Sequence, residues 1–147
     1  MYKKILVPLD SSEFSECSLQ HVKAIANGCS VPEVILLQAI EPIRKVYEMG
    51  EELILDLEKK HEAAAREYLN QVAAALKQEG IVAETVVIRG EASGEILDYA
   101  GKNQVDLIVM STHGRSGASR WLLGSVTDRV LRHSVVPVLV ASPAACR

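Results

Sequence analysis

The chain has 147 residues, of which 48% are hydrophobic and 24% charged, enough for one compact domain over 1–147 whose core needs neither disulfide nor metal support. A formal net charge of -3 offers no general attraction to polyanions, which argues against sequence-independent nucleic-acid binding. The opening MYKKILVPLD holds an apolar run too short for a signal peptide or a membrane span, so a cytoplasmic protein with no membrane segment is expected.

Lys4 to Val7 is a short apolar run closed by Pro8, the pattern of a strand covered on both faces. After Asp10, Ser11 and Ser12 a helical pattern places Phe14, Cys17, Val22 and Ile25 on one side, and Asn27-Gly28 stops it. Val34 to Ile40, bracketed by Pro32 and Pro42, reads as a second strand. Residues 51–79 are rich in Ala, Leu, Glu, Lys and Gln, and Leu57, Ala64, Tyr68, Val72 and Ala75 recur at helical spacing before Gly80. Ile81 to Ile88 is a third strand, and the turn at Gly90 leads to a helix carrying Ile96, Leu97 and Ala100. Val105 to Met110 is the fourth strand, followed by the turn-like stretch STHGRSGAS and an apolar patch, Trp121 to Leu123, expected in the core. Gly124-Ser125 opens a short helix to about His133, in which Ser125 and Asp128 have capping-box spacing. Val135 to Ala141 is the fifth strand, placed at an edge by Pro137. Alternating strands and helices predict an α/β fold, a parallel sheet with helices on both faces. Cys17, Cys29 and Cys146 lack metal-site spacing and are expected to be reduced thiols.

In such sheets ligands bind beyond the carboxyl ends of the strands. Of the strand exits, Ser111 to Ser125, STHGRSGASRWLLGS, is densest in glycine and hydroxyls. Gly114, Gly117 and Gly124 allow sharp turns and close approach of the main chain to a ligand. Gly124-Ser125 at a helix start adds N–H donors and the positive dipole end, and Arg115 or Arg120 could supply charge, so the stretch predicts a phosphate site. It is neither of the common glycine-rich nucleotide motifs, and a glycine-rich loop before a capped helix is the alternative. Asp10, leaving the first strand, could hold a ribose hydroxyl or a metal-bound water while capping the first helix.

Gly114 and Gly124 are separated by nine residues, with Ser125 following. The spacing G-x-x-G, nine residues, then G-S or G-T resembles the ATP-binding signature of one branch of the universal stress protein family. The opening KKILVPLDSS, the EVILL run and VDLIVMSTHGRSGASRWLLGSVTDRVLRHSVVPVLV are similar to that family as well, so the resemblance spans nearly the whole chain. It implies a single-domain, Rossmann-like, five-stranded parallel sheet of order 3-2-1-4-5, with ATP, or ADP, AMP or cAMP, between the exits of strands one and four. By position, Pro8, Asp10, Ala39 and Met110 would line the adenine and ribose side. Gly114, Arg115, Gly124, Ser125 and Val126 would surround the phosphates, with Mg2+ or Mn2+ carried on them and Asp10 reaching the ion through water. His113, beside the glycine turn, is expected to pack the loop or touch the ligand rather than catalyse.

The chain departs from the signature at its first glycine, which is Ser111; the side chain adds bulk near the ribose. Ala39 stands where a larger apolar residue is common in the family, so a looser adenine pocket follows. The resemblance further implies a homodimer through Val136–Val140 and a regulatory protein partner whose identity the sequence does not name. The expected function is an ATP-responsive stress regulator in which the nucleotide is a conformational switch, with slow hydrolysis at most because no catalytic base is evident. The alternatives are a nucleotide-free dimeric interaction module, which Ser111 favours, and a slow ATPase; the HIGH and SGGxDS motifs of nucleotidyl-transferring relatives of the fold are absent.

Overall fold

The computed structural model describes residues 1–44, 49–112 and 123–142. Among these, ten elements follow in order: β1 (Lys4–Pro8), α1 (Glu13–Glu16), α2 (Leu19–Gly28), β2 (Glu33–Ile40), α3 (Glu51–Gln78), β3 (Ala83–Arg89), α4 (Ala92–Lys102), β4 (Leu107–Ser111), α5 (Ser125–His133) and β5 (Val138–Ala141). All strand pairs are parallel and the sheet order is β3-β2-β1-β4-β5. This is the order that the family resemblance implies.

The all-apolar strands are explained by two cores. Ile5, Val7, Val34, Leu36 and Val109 pack with Val22 of α2 and Leu69, Val72 and Leu76 of α3. Leu6, Ile35, Leu37, Ile108 and Met110 alternate with them and pack on the other face with Ile96 and Ala100 of α4 and Val130 of α5. Each fully buried aliphatic side chain contributes about 1.5–3 kcal/mol of transfer free energy, so both sheet faces are strongly specified. No helix among the described residues is long and apolar enough to cross a membrane.

Several expectations shift by a residue or more. The first helix is two helices: Cys17 and Ser18 donate their N–H groups to Phe14 and Ser15, three residues back, and the Ser18 hydroxyl also takes the Ser15 carbonyl at 2.9 Å. That competition for one carbonyl breaks the helix. Phe14 consequently lies on an exposed face, whereas Cys17 and Val22 are buried. In α3 the buried stripe is Ile54, Ala65, Leu69, Val72 and Leu76, so Ala64 and Ala75 are exposed. The alanine runs at 63–65 and 73–75 make the phase ambiguous until packing selects it.

The third strand begins at Ala83 because Gly80, at φ +82°, ends α3 and Ile81 donates its N–H back to Leu76, burying its own side chain. The fifth begins at Val138, not Val135. The Ser134 hydroxyl accepts the Val136 N–H at 3.2 Å, which holds residues 134–136 in a turn, and Pro137 precedes the strand instead of lying in it. β5 is at the edge, as expected. Cys17 is disulfide-bonded, against the expectation of reduced thiols, and Cys29 is free.

Candidate functional site

Strand order reverses between β1 and β4, since β1 is followed in the sheet by β2 on one side and β4 on the other. The crossovers therefore leave to opposite faces, and a crevice opens where the two strands end. A cleft enclosing about 730 Å³, part of it open to solvent, occupies this place.

One wall is apolar. Leu37 and Ala39 from β2, Ala92 and Ile96 from α4, Met110 from β4 and Val126 from α5 line it. The opposite wall is the β1 exit and α1. Pro8, Leu9, Asp10 and Ser15 line that side. Ser11 is held at φ +68° by Gln38, whose amide nitrogen donates to the Ser11 hydroxyl at 3.0 Å. Asp10 accepts the Ser12 N–H at 2.9 Å and the Ser12 hydroxyl, which forms a turn. The cap of α1 is Ser12 itself, taking the Ser15 N–H at 3.1 Å, so the expected capping role passes from Asp10 to Ser12.

The third wall is the start of α5. Gly124 is its N-cap, at φ -59° and ψ 148°, with no side-chain cap bond, so the capping box expected of Ser125 and Asp128 is not formed. Asp128 pairs with Arg132 at 3.0 Å instead, and its N–H is the first to find a carbonyl within the helix, that of Gly124 at 2.9 Å. The N–H groups of Ser125, Val126 and Thr127 precede that bond, and all three residues line the cleft. Three donors and the positive dipole end thus border it, which suits an anion. Gly124 donates its own N–H to the Thr112 carbonyl at 2.9 Å, which ties the start of α5 to the exit of β4.

Ser111 is 6% exposed, and its hydroxyl donates to the Ser15 carbonyl at 3.2 Å while its own carbonyl accepts the Thr127 hydroxyl at 2.8 Å. The positive-φ residues other than glycine among those described are Ser11, Ser30 and Gln104, so serine at 111 carries no backbone strain. Tyr68 of α3 steadies α1 from the other side by donating to Glu16 at 2.9 Å. Burial, and then that bond, push the Tyr68 phenol well above its usual range.

Pro8, Asp10, Ala39, Met110, Ser111, Gly124, Ser125 and Val126 are therefore brought to one cleft. His113, Gly114, Arg115 and Gly117 lie outside the described residues, as do Trp121 and Leu122; Leu123, expected in the core, is 47% exposed. Sequence reasoning missed Leu9, Ser15, Leu37, Ala92, Ile96, Thr112 and Thr127. Thr127 had a signal in its place in the first turn after Gly124; Ala92 and Ile96 had none, because they reach the cleft through the packing of α4 on β2 and α5. No group of three metal-ligating side chains is found among the described residues, and Asp10 is the carboxylate of the cleft lining.

A doubly wound parallel sheet with a cleft at its switch point, bordered by a helix N-terminus, defines a Rossmann-like α/β protein. The universal stress protein family model matches residues 1–142, and the chain belongs to that family. It is 34% identical to universal stress protein MJ0577 of Methanocaldococcus jannaschii over 95% of this chain and 94% of the relative, and 31% identical to universal stress protein YxiE of Bacillus subtilis over 95% and 99%. The solved structure of MJ0577 superposes with a TM-score of 0.86 at 37% identity, covering 97% of this chain and 96% of that one. A universal stress protein solved in complex with cAMP shares the fold, with a TM-score of 0.66 at 24% identity over 97% and 98% of the two chains.

Proposed function

We propose that the chain is a stress-response regulator that binds an adenine nucleotide in the switch-point cleft and uses its occupancy as a signal. The observation that carries this reading is the convergence on one cleft of an apolar wall, the Asp10 carboxylate and the N-terminus of α5. A base would lie against Leu37, Ala39, Ile96 and Met110, a ribose near Asp10, and phosphates on the N–H donors at Ser125 to Thr127. The spacing of Gly114, Gly124 and Ser125 supports ATP as the occupant, with His113, Arg115 and Gly117 as further contacts from the glycine-rich segment.

A magnesium or manganese ion would be carried mainly on the phosphates, with Asp10 reaching it through water, since one carboxylate is too few for a protein-held site. Among the described residues the carboxylate of the cleft, Asp10, is engaged by Ser12, which supports a switch over rapid turnover. The same reading includes a cytoplasmic homodimer paired through Val136–Val140, whose nucleotide-dependent surface a regulatory protein reads. The rival, a nucleotide-free dimeric module, drew its support from Ser111; the hydroxyl's engagement with Ser15 weakens that support.

The test is mass spectrometry of nucleotide released from the denatured protein, then calorimetric titration of emptied protein with ATP and magnesium. Released adenine nucleotide, or ATP binding that Gly114→Ala weakens, supports the reading. Absence of both release and binding, for ATP, AMP and cAMP alike, would overturn it.

A further inference from the structure

The buried hydroxyls where β4, α1 and α5 meet form one connected set. Ser15, Ser18, Ser111 and Thr127 are each at most 6% exposed. The Ser15 carbonyl accepts two of these hydroxyls, from Ser18 at 2.9 Å and from Ser111 at 3.2 Å, besides the Ser18 N–H at 3.4 Å. The Ser15 side chain in turn donates to the Ser12 carbonyl at 2.9 Å and accepts the Asp10 N–H at 3.3 Å. Thr127 closes the set from α5 by donating to the Ser111 carbonyl at 2.8 Å.

Ser111 thus touches two walls of the cleft through different atoms. Its carbonyl joins β4 to α5, a bond that any residue could make. Its hydroxyl joins β4 to α1, a bond that glycine or alanine could not. The second joint matters because α1 is a single turn, Glu13–Glu16, too short to hold its own shape. The placement of Asp10 and Ser15 in the cleft depends on what α1 is fastened to.

We propose that Ser111 is a positioning residue whose hydroxyl clasps α1 to the exit of β4 and keeps the Asp10–Ser15 wall of the cleft in place before a ligand arrives. Its functional consequence rests on the nucleotide reading above; the clasp itself does not. A preformed wall loses less conformational freedom on binding, so the clasp lengthens ligand residence. Serine at this place is then a gain in order within the cleft, not an obstruction beside the ribose.

Hydrogen exchange of the nucleotide-free full chain tests the clasp, comparing wild type with Ser111→Ala, Ser111→Gly and Ser111→Thr. A net hydrogen bond of ordinary strength corresponds to about a three- to tenfold change in local opening. Amides of residues 13–18 should exchange faster by about that factor in the alanine and glycine variants, with α3 unchanged, and the threonine variant should restore protection. Stopped-flow release of ATP with magnesium should quicken by a similar factor in Ser111→Ala. Wild-type exchange across α1 in Ser111→Ala would overturn the proposal, as would tighter ATP binding by Ser111→Gly. Should Ser111→Thr fail to fold because of its added methyl, the alanine variant decides alone. If wild type itself binds no ATP, the nucleotide reading falls while the exchange comparison still decides the clasp.

Discussion

Replacing Ser125 by aspartate should separate the stability of α5 from its capacity to bind an anion. Ser125 is exposed, makes no cap bond, and is the first residue of the helix. A carboxylate there meets the positive end of the dipole and stabilises the empty protein by about 0.3–1 kcal/mol, which raises Tm by up to roughly 2–4 °C for a domain of this size. A phosphate seated on the neighbouring N–H groups would lie on the order of 5 Å from that carboxylate. Two unit charges at this distance repel by about 1–3 kcal/mol for effective dielectric constants between those of water and a protein surface, or about 5- to 150-fold in Kd. Calorimetry with ATP, AMP and adenosine, alongside thermal unfolding of the empty protein, reads both effects. ATP should weaken by that factor, AMP by less, and adenosine not at all, while Tm holds or rises. Equal loss for adenosine and ATP would refute the reasoning, because the damage would then be to the cleft and not to a phosphate seat.

Glu91 caps α4 by accepting the Ser93 N–H at 3.1 Å, the Ser93 hydroxyl at 2.6 Å and the Gly94 N–H at 2.9 Å, and it lies 3.6 Å from Arg129 of α5. The Ser93 hydroxyl, then the Gly94 N–H, hold its carboxyl below the usual 4.5. A depressed folded-state pKa means the stabilisation is fully present above pH 4.5 and is lost as pH falls through the folded value. Glu91→Ala should therefore cost about 1 kcal/mol in urea unfolding at pH 7, with a difference from wild type that shrinks below pH 4.5; a pH-independent difference would contradict this. On β5, Ile108 donates to the Pro137 carbonyl and Thr112 to that of Ala141, so alternate residues serve β4 and Val138 and Val140 present their N–H groups to the open edge. Val140→Pro should leave the sheet folded and convert a micromolar dimer to monomer by light scattering; persistence of the dimer would move the interface elsewhere.

Much of the fold was legible because both faces of this sheet are covered. Strands such as KILVP and LIVMS are apolar but for one end residue each, Lys4 and Ser111, so their existence did not depend on tertiary detail. What failed were phases and joints that local sequence leaves degenerate. In α3 the alanine runs satisfy more than one helical stripe, and only contact with the sheet chooses Ala65 over Ala64. Around α1 the serines at 12, 15 and 18 can cap, turn or continue a helix, and one partner of Ser15, Ser111, is 96 residues away in the chain. The cleft shows the same division. Its exits and the helix start that borders it follow from glycine placement and strand order, which are local or topological. Its apolar wall owes Ala92 and Ile96 to the packing of α4, and Ser111 owes its hydroxyl's orientation to the Ser15 carbonyl of α1, which accepts from it. A residue type thus told where a side chain enters the site, while its hydrogen-bond partner decided its role there. Ser111 is the case in point: bulk beside a ribose when read alone, and a fastening between two walls once Ser15 is beside it.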